Sequence, residues 1–210
     1  MPRCASTAHG VYLASGVVTV DSMFGLLELL DRFDAGALDA TTNLRWAPIS
    51  GVFIVASAWW FKGLIFVGVG ALGDLKNRSV LPLAALVGAL AFGITSGIVA
   101  ATKEAVGRLR PAITDPTFET LVATPSSGSF PSGHAATAFA AAVAVGVIYP
   151  RVRWPLVCIA GLVALSRVYL GVHYWLDILV GCALGSAIGL GVAWGAERVV
   201  RGSAASPAPT

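Results

Sequence analysis

The stretch Gly51–Leu72, GVFIVASAWWFKGLIFVGVGAL, is apolar throughout apart from Ser57 and Lys62. A helix needs about 20 residues to cross a hydrocarbon core of about 30 Å. Lipid offers backbone amides no partner, so a run of this length folds as a membrane helix. Val80–Ala101 and Trp175–Trp194 are further clear spans, and two shorter ones, Ala135–Tyr149 and Pro155–Leu170, lie between them. A sixth, weaker segment, Gly10–Leu30, is divided by Asp21 and either crosses the bilayer or lies in its interface. The expected fold is therefore all-α, a polytopic membrane bundle of about six helices.

Charged residues make up 12% of the chain and mean hydropathy is +0.79, whereas a soluble domain is roughly 25% charged. Residues 51–201 form the expected membrane core and 1–50 an N-terminal region. The closing GSAASPAPT, 202–210, has no apolar mass and reads as a disordered tail. A net charge of +3 without basic blocks gives no sign of nucleic acid as a partner. Cys4 stands alone, and Cys158 and Cys182 sit inside apolar runs, so neither a disulfide framework nor a metal-ligand spacing is visible.

The basic residues alternate between connections. Lys76 with Arg78, Arg151 with Arg153, and Arg198 with Arg201 fall on one side, which the positive-inside rule makes cytoplasmic. The other side receives three polar clusters: KEAVGRLRP from Lys103 to Pro111, PSGH from Pro131 to His134, and SRVYLGVHYWLD from Ser166 to Asp177. The chemistry is thus expected on the extracytoplasmic face of a plasma or inner membrane.

Lys103, Arg110 and Arg167 supply an ammonium and two guanidinium forks, a set suited to phosphoryl oxygens. Ser132 and Gly133 open a helix, where free backbone N–H groups attract the same anion, and Ser132 also suits an N-cap. His173 and Asp177 are four apart, so one helical turn lets the carboxylate orient the imidazole as a nucleophile toward phosphorus. His134 is the second histidine that such a reaction needs, as general acid and base. His9 has no charged partner nearby and carries no assigned role.

These clusters resemble the three signatures of the type 2 phosphatidic acid phosphatase superfamily, K-x6-R-P, P-S-G-H and S-R-x5-H-x3-D, in order and with spacings intact between Lys103 and Asp177. The resemblance spans roughly residues 51–197. It implies a six-helix membrane enzyme that hydrolyses a lipid phosphate through a phosphohistidine, with no metal or other cofactor. His173 would be the nucleophile, Asp177 its orienter and His134 the leaving-group acid, with Lys103, Arg110, Ser132, Gly133 and Arg167 holding the phosphate.

Arg108 lies outside the signatures and either assists a second phosphate or headgroup or anchors the chain at the interface. Lys62, near the middle of an apolar span where a charge costs at least about 2.5–3.5 kcal/mol, needs an acidic partner or a wet cavity. The substrate candidates are undecaprenyl pyrophosphate, ranked first, then phosphatidylglycerophosphate and phosphatidate. A phosphotransferase passing the group to an alcohol is the alternative activity, and a lipid or ion transporter a remote one. The 111–131 connection is expected to cover the headgroup, with Phe118, Leu121 and Val122 dipping into the interface.

Overall fold

The computed structural model describes residues 20–58, 63–78 and 82–204, with side chains from 31 to 200. Its helices are α1 (Val20–Thr42), α2 (Ala47–Ala56), α3 (Leu64–Lys76), α4 (Leu83–Val106), the single turn α5 (Pro111–Thr114), α6 (Gly133–Ile148), α7 (Arg153–Tyr169) and α8 (Trp175–Ala204). A short 3-10 turn, Pro150–Val152, precedes α7. α4, α7 and α8 are long and apolar enough to cross a membrane, while α2 and α6 are shorter apolar helices.

The central element is α6, which packs against α3, α4, α7 and α8. Its sequence, GHAATAFAAAVAVGVI, explains this position: ten of its residues are buried, seven of them alanines, so neighbours approach from several sides at once. On α8, Gly181, Gly185 and Gly189 form a stripe one turn apart. A Cβ on Gly181 would lie 2.8 Å from the Ser132 carbonyl oxygen, and Cβ atoms on Gly185 and Gly189 would collide with the carbonyls of Ala136 and Ala140. The stripe brings the two backbones into contact, as small residues do between membrane helices.

α6 also starts low in the bundle. Gly133 sits against Val99, its Cβ position 3.5 Å from the Val99 side chain, whereas α4 continues to Val106. Seven further residues at 1.5 Å each carry α4 roughly 10 Å past that level. The first turn of α6 is thus recessed beside the end of α4.

The long run Gly51–Leu72, expected as one span, is instead divided into α2 and α3. Two features flank the break. The Ser57 carbonyl, which a continuous helix would give to its own backbone, meets Nε2 of His134 at 3.0 Å. Gly63, at the start of α3, has the lowest helix propensity after proline, and a Cβ there would lie 2.6 Å from the Phe92 ring. Lys62 lies outside the described residues, as do residues 10–19 of the weaker first segment. That segment's helix runs later than expected, to Thr42, and α8 extends to Ala204, beyond the expected Trp194.

At the end of the bundle away from α6's first turn, Asp74 is 3% exposed and accepts hydrogen bonds from Ala84 N, Ala85 N and the Tyr149 hydroxyl. It satisfies amides that a helix start leaves without partners. Lys76 and Arg151 line one cavity of about 720 Å³ at that end, so these two expected same-side cations do come together.

Gly185→Ala is expected to destabilise the protein by roughly 1–3 kcal/mol through overpacking, read by thermal unfolding in detergent. Gly97→Ala is the control: among the described residues nothing outside its own stretch of helix backbone lies within 4 Å of its Cβ position, so its unfolding temperature should hold or rise.

Candidate active site

Two left-handed glycines deliver the first and third clusters. Gly107, at φ 63°, ends α4 and turns the chain so that Arg108 and Arg110 leave the helix axis. Gly171, at φ 80°, reverses the chain between α7 and α8, placing His173 just before α8 and Asp177 in its first turn. A side chain strains this backbone conformation, which glycine adopts freely. The second cluster is stitched to the third by Ser132 N, which donates to the Asp177 carbonyl at 2.9 Å.

Arg110 is 3% exposed and holds the site's loops together. Its Nε donates to Ser127 O at 2.9 Å, and its Nη1 reaches Val172 O at 2.7 Å and Nε2 of His173 at 3.1 Å. Lys103 donates to the carbonyls of Gly128 and, at 3.1 Å, of Ser129. Both cations therefore grip the segment just before PSGH.

A guanidinium can only donate, so His173 Nε2 accepts from Arg110 and the ring proton lies on Nδ1. Nδ1 faces Asp177 Oδ2 at 3.2 Å. That carboxylate oxygen also accepts from Tyr174 N at 3.0 Å and from the Ser129 hydroxyl. Burial pulls the His173 imidazole down from 6.5 to about 4; Arg110 and Arg167 push the same way, and Asp177 opposes them. The ring is neutral at physiological pH, with its lone pair on Nε2.

Two donors in this region, Ser132 Oγ and Arg167 Nε, are buried and have no partner among the described residues. Buried donors left unpaired cost about 1–3 kcal/mol each, more when charged. Lys103, Arg110 and Arg167 are also within coulombic reach of one another. A cavity of about 430 Å³ opens beside Lys103, lined also by Val99, Glu104, Ser127, Gly128 and Gly133. Buried donors and clustered cations with a cavity alongside are chemistry that suits an anion, and the Asp177 carboxylate near them is already engaged.

His134 stands one residue inside α6, where Nε2 donates to Ser57 O. A carbonyl only accepts, so Nε2 carries a proton. Arg108 is engaged by three carboxylates: it pairs with Asp177 at 2.7 Å, Asp34 at 2.8 Å and Asp31 at 3.1 Å. Ser129, Asp31 and Asp34 belong to the site's surroundings yet drew no attention in the sequence. Ser129 lies two residues before Pro131, and Asp31 and Asp34 share a helix face, faint signals that only a known partner makes readable. Phe118, expected in the interface, packs instead against the buried cluster containing Leu38 and Tyr174.

Residues 81–201, more than half of the chain, match the PAP2 superfamily. The chain belongs to the PAP2 superfamily. It is 41% identical over 126 residues to a decaprenylphosphoryl-5-phosphoribose phosphatase of Mycobacterium tuberculosis, covering 60% of this chain and 67% of that one. It is 34% identical over 144 residues to an undecaprenyl-diphosphatase of Sulfolobus acidocaldarius, covering 68% of each. The PAP2-type phosphatidylglycerolphosphate phosphatase of Bacillus subtilis superposes with a TM-score of 0.69 at 27% identity, over 81% of this chain and 88% of that one. This PAP2 chain is a membrane protein and a lipid phosphate phosphatase.

Histidine-selective 15N NMR in detergent micelles, with His173→Gln for assignment, should show a His173 ring that stays neutral through pH 5 and titrates near 4. Titration near the ordinary 6.5 would contradict its burial.

Proposed function

We propose that the protein hydrolyses a polyprenyl phosphate or diphosphate, with undecaprenyl pyrophosphate first among the candidates, through a phosphohistidine on His173. The observation that carries this reading is the Nε2 lone pair of a buried, Asp177-oriented histidine, directed at the guanidinium of Arg110 3.1 Å away. A phosphoryl oxygen that takes the Arg110 hydrogen bond brings phosphorus to the nitrogen that must attack it. Ser132 Oγ and Arg167 Nε, both unpaired, supply further donors to the same group, with Lys103 and the Gly133 amide alongside.

In the first half-reaction His173 Nε2 bonds to phosphorus while the bond from phosphorus to the lipid-side oxygen breaks. His134 protonates that oxygen. Asp177 stabilises the charge that develops on the ring through the Nδ1 proton. In the second half, His134 takes a proton from water, the oxygen attacks phosphorus, the P–N bond breaks and phosphate leaves. His134 thus acts first as acid and then as base.

The substrate class draws on the M. tuberculosis and S. acidocaldarius relatives, whose names both specify a polyprenyl-linked phosphate. The cavity beside Lys103 is apolar toward Val99 and Ala100, which suits a phosphate whose tail remains in the bilayer. By the positive-inside reading the site faces the extracytoplasmic side.

Purified protein in EDTA should release phosphate from undecaprenyl pyrophosphate faster than from phosphatidylglycerophosphate, phosphatidate or a soluble sugar phosphate. His173→Ala should lose at least about a thousandfold, and Asp177→Asn about a hundredfold or more, with binding retained. Activity that requires an added divalent ion would overturn the mechanism, and phosphate appearing only on an added alcohol would make the enzyme a transferase.

A further inference from the structure

The Asp177 carboxylate has two oxygens with different duties. Oδ2 takes His173 Nδ1, Tyr174 N and the Ser129 hydroxyl. Oδ1 takes Arg108 Nη1 at 2.7 Å. Without that second contact the carboxylate can rotate about its bond to Cβ and carry Oδ2 away from the imidazole.

Arg108 is itself held in place. Its Nη2 donates to Asp34 Oδ2 at 2.8 Å, and its guanidinium carbon lies 4.3 Å from the Tyr174 ring centroid. Asp34 is fully buried, and its other oxygen accepts from Leu176 N at 3.0 Å, in the first turn of α8. Asp31 is 72% exposed, so water screens its share of the attraction.

We propose that Arg108 and Asp34 are positioning residues that lock the Asp177 carboxylate toward His173, which makes α1 a working part of the catalytic apparatus. The proposal rests on the reading of His173 as nucleophile. A contact with the substrate phosphate is the other use for Arg108, and the local charge argues against it. One guanidinium among Asp31, Asp34 and Asp177 offers an incoming dianion no net positive field, whereas Lys103, Arg110 and Arg167 do. Two buried carboxylates sharing one cation also explain why the arginine must stay: removing it strands both charges in a dry site.

The test measures kcat and KM on an aryl phosphate, with orthovanadate inhibition as the probe of the phosphate site, for full-length wild type and variants. Arg108→Met should lower kcat by about tenfold to a hundredfold, as expected for a misplaced catalytic group, with KM and vanadate affinity little changed. Adding Asp34→Asn to Arg108→Met should recover part of the loss, because it removes the stranded charge. If Arg108→Met does not fold, Asp34→Asn alone carries the test, with a several-fold fall in kcat at constant KM supporting the clamp. Raised KM and weakened vanadate inhibition with kcat intact would overturn the clamp and make Arg108 a phosphate ligand. Wild-type kcat in the variants, beside an inactive His173→Ala, would sink the clamp alone; a fully active His173→Ala would sink the nucleophile reading and the clamp with it.

Discussion

The contact between α6 and α8 is the constraint on which the site depends. Gly181, Gly185 and Gly189 remove every side chain from the face of α8 that meets Ser132, Ala136 and Ala140. Backbone contact at this level lets Ser132 N reach the Asp177 carbonyl, so the helix start bearing PSGH and the turn bearing His173 become one unit. A helix pair held apart by leucines would leave those clusters several ångströms from each other. The alanines of α6 extend the same economy of volume to α4 and α7.

A second constraint is electrostatic. Arg110 and Arg167 are buried to within 4% of complete enclosure, with Lys103 nearby, and the acid among them is already shared with Arg108. Burying cations without matching anions is costly. Ser132 Oγ and Arg167 Nε, both buried, also have no partner among the described residues. Such a balance of charge and donors favours an anionic ligand over a neutral one. The neutral His173 ring belongs to the same balance, since a proton on it would add to the uncompensated positive charge.

The turn bearing His173 is braced from outside as well. α1 presses Leu38 into the cluster containing Val168, Tyr174 and Ile178, and the Ala37 carbonyl and Thr41 hydroxyl accept from the Trp175 indole. Arg45, after α1, donates to Tyr169 O and Glu119 O, tying the 111–131 connection to the end of α7. These contacts hold Phe118, partly buried, against that cluster. In the sequence it reads as a loop aromatic at an interface, because nothing local marks Arg45 or Leu38 as its neighbours.

The apolar runs by themselves determined an all-helical membrane bundle, because lipid leaves the backbone no other way to pair its amides. The spacing of Lys103, Arg110, His134, Arg167, His173 and Asp177 likewise made phosphate chemistry legible, since those side chains are sparse in an otherwise apolar chain. Tertiary structure alone decided the break between α2 and α3, the commitment of Arg108 to three carboxylates, and the place of Ser129 and Asp34 around Asp177. Hydropathy and helical period report which residues avoid water and which share a face. They do not report which distant donor meets which acceptor, and that pairing is where the chemistry lies.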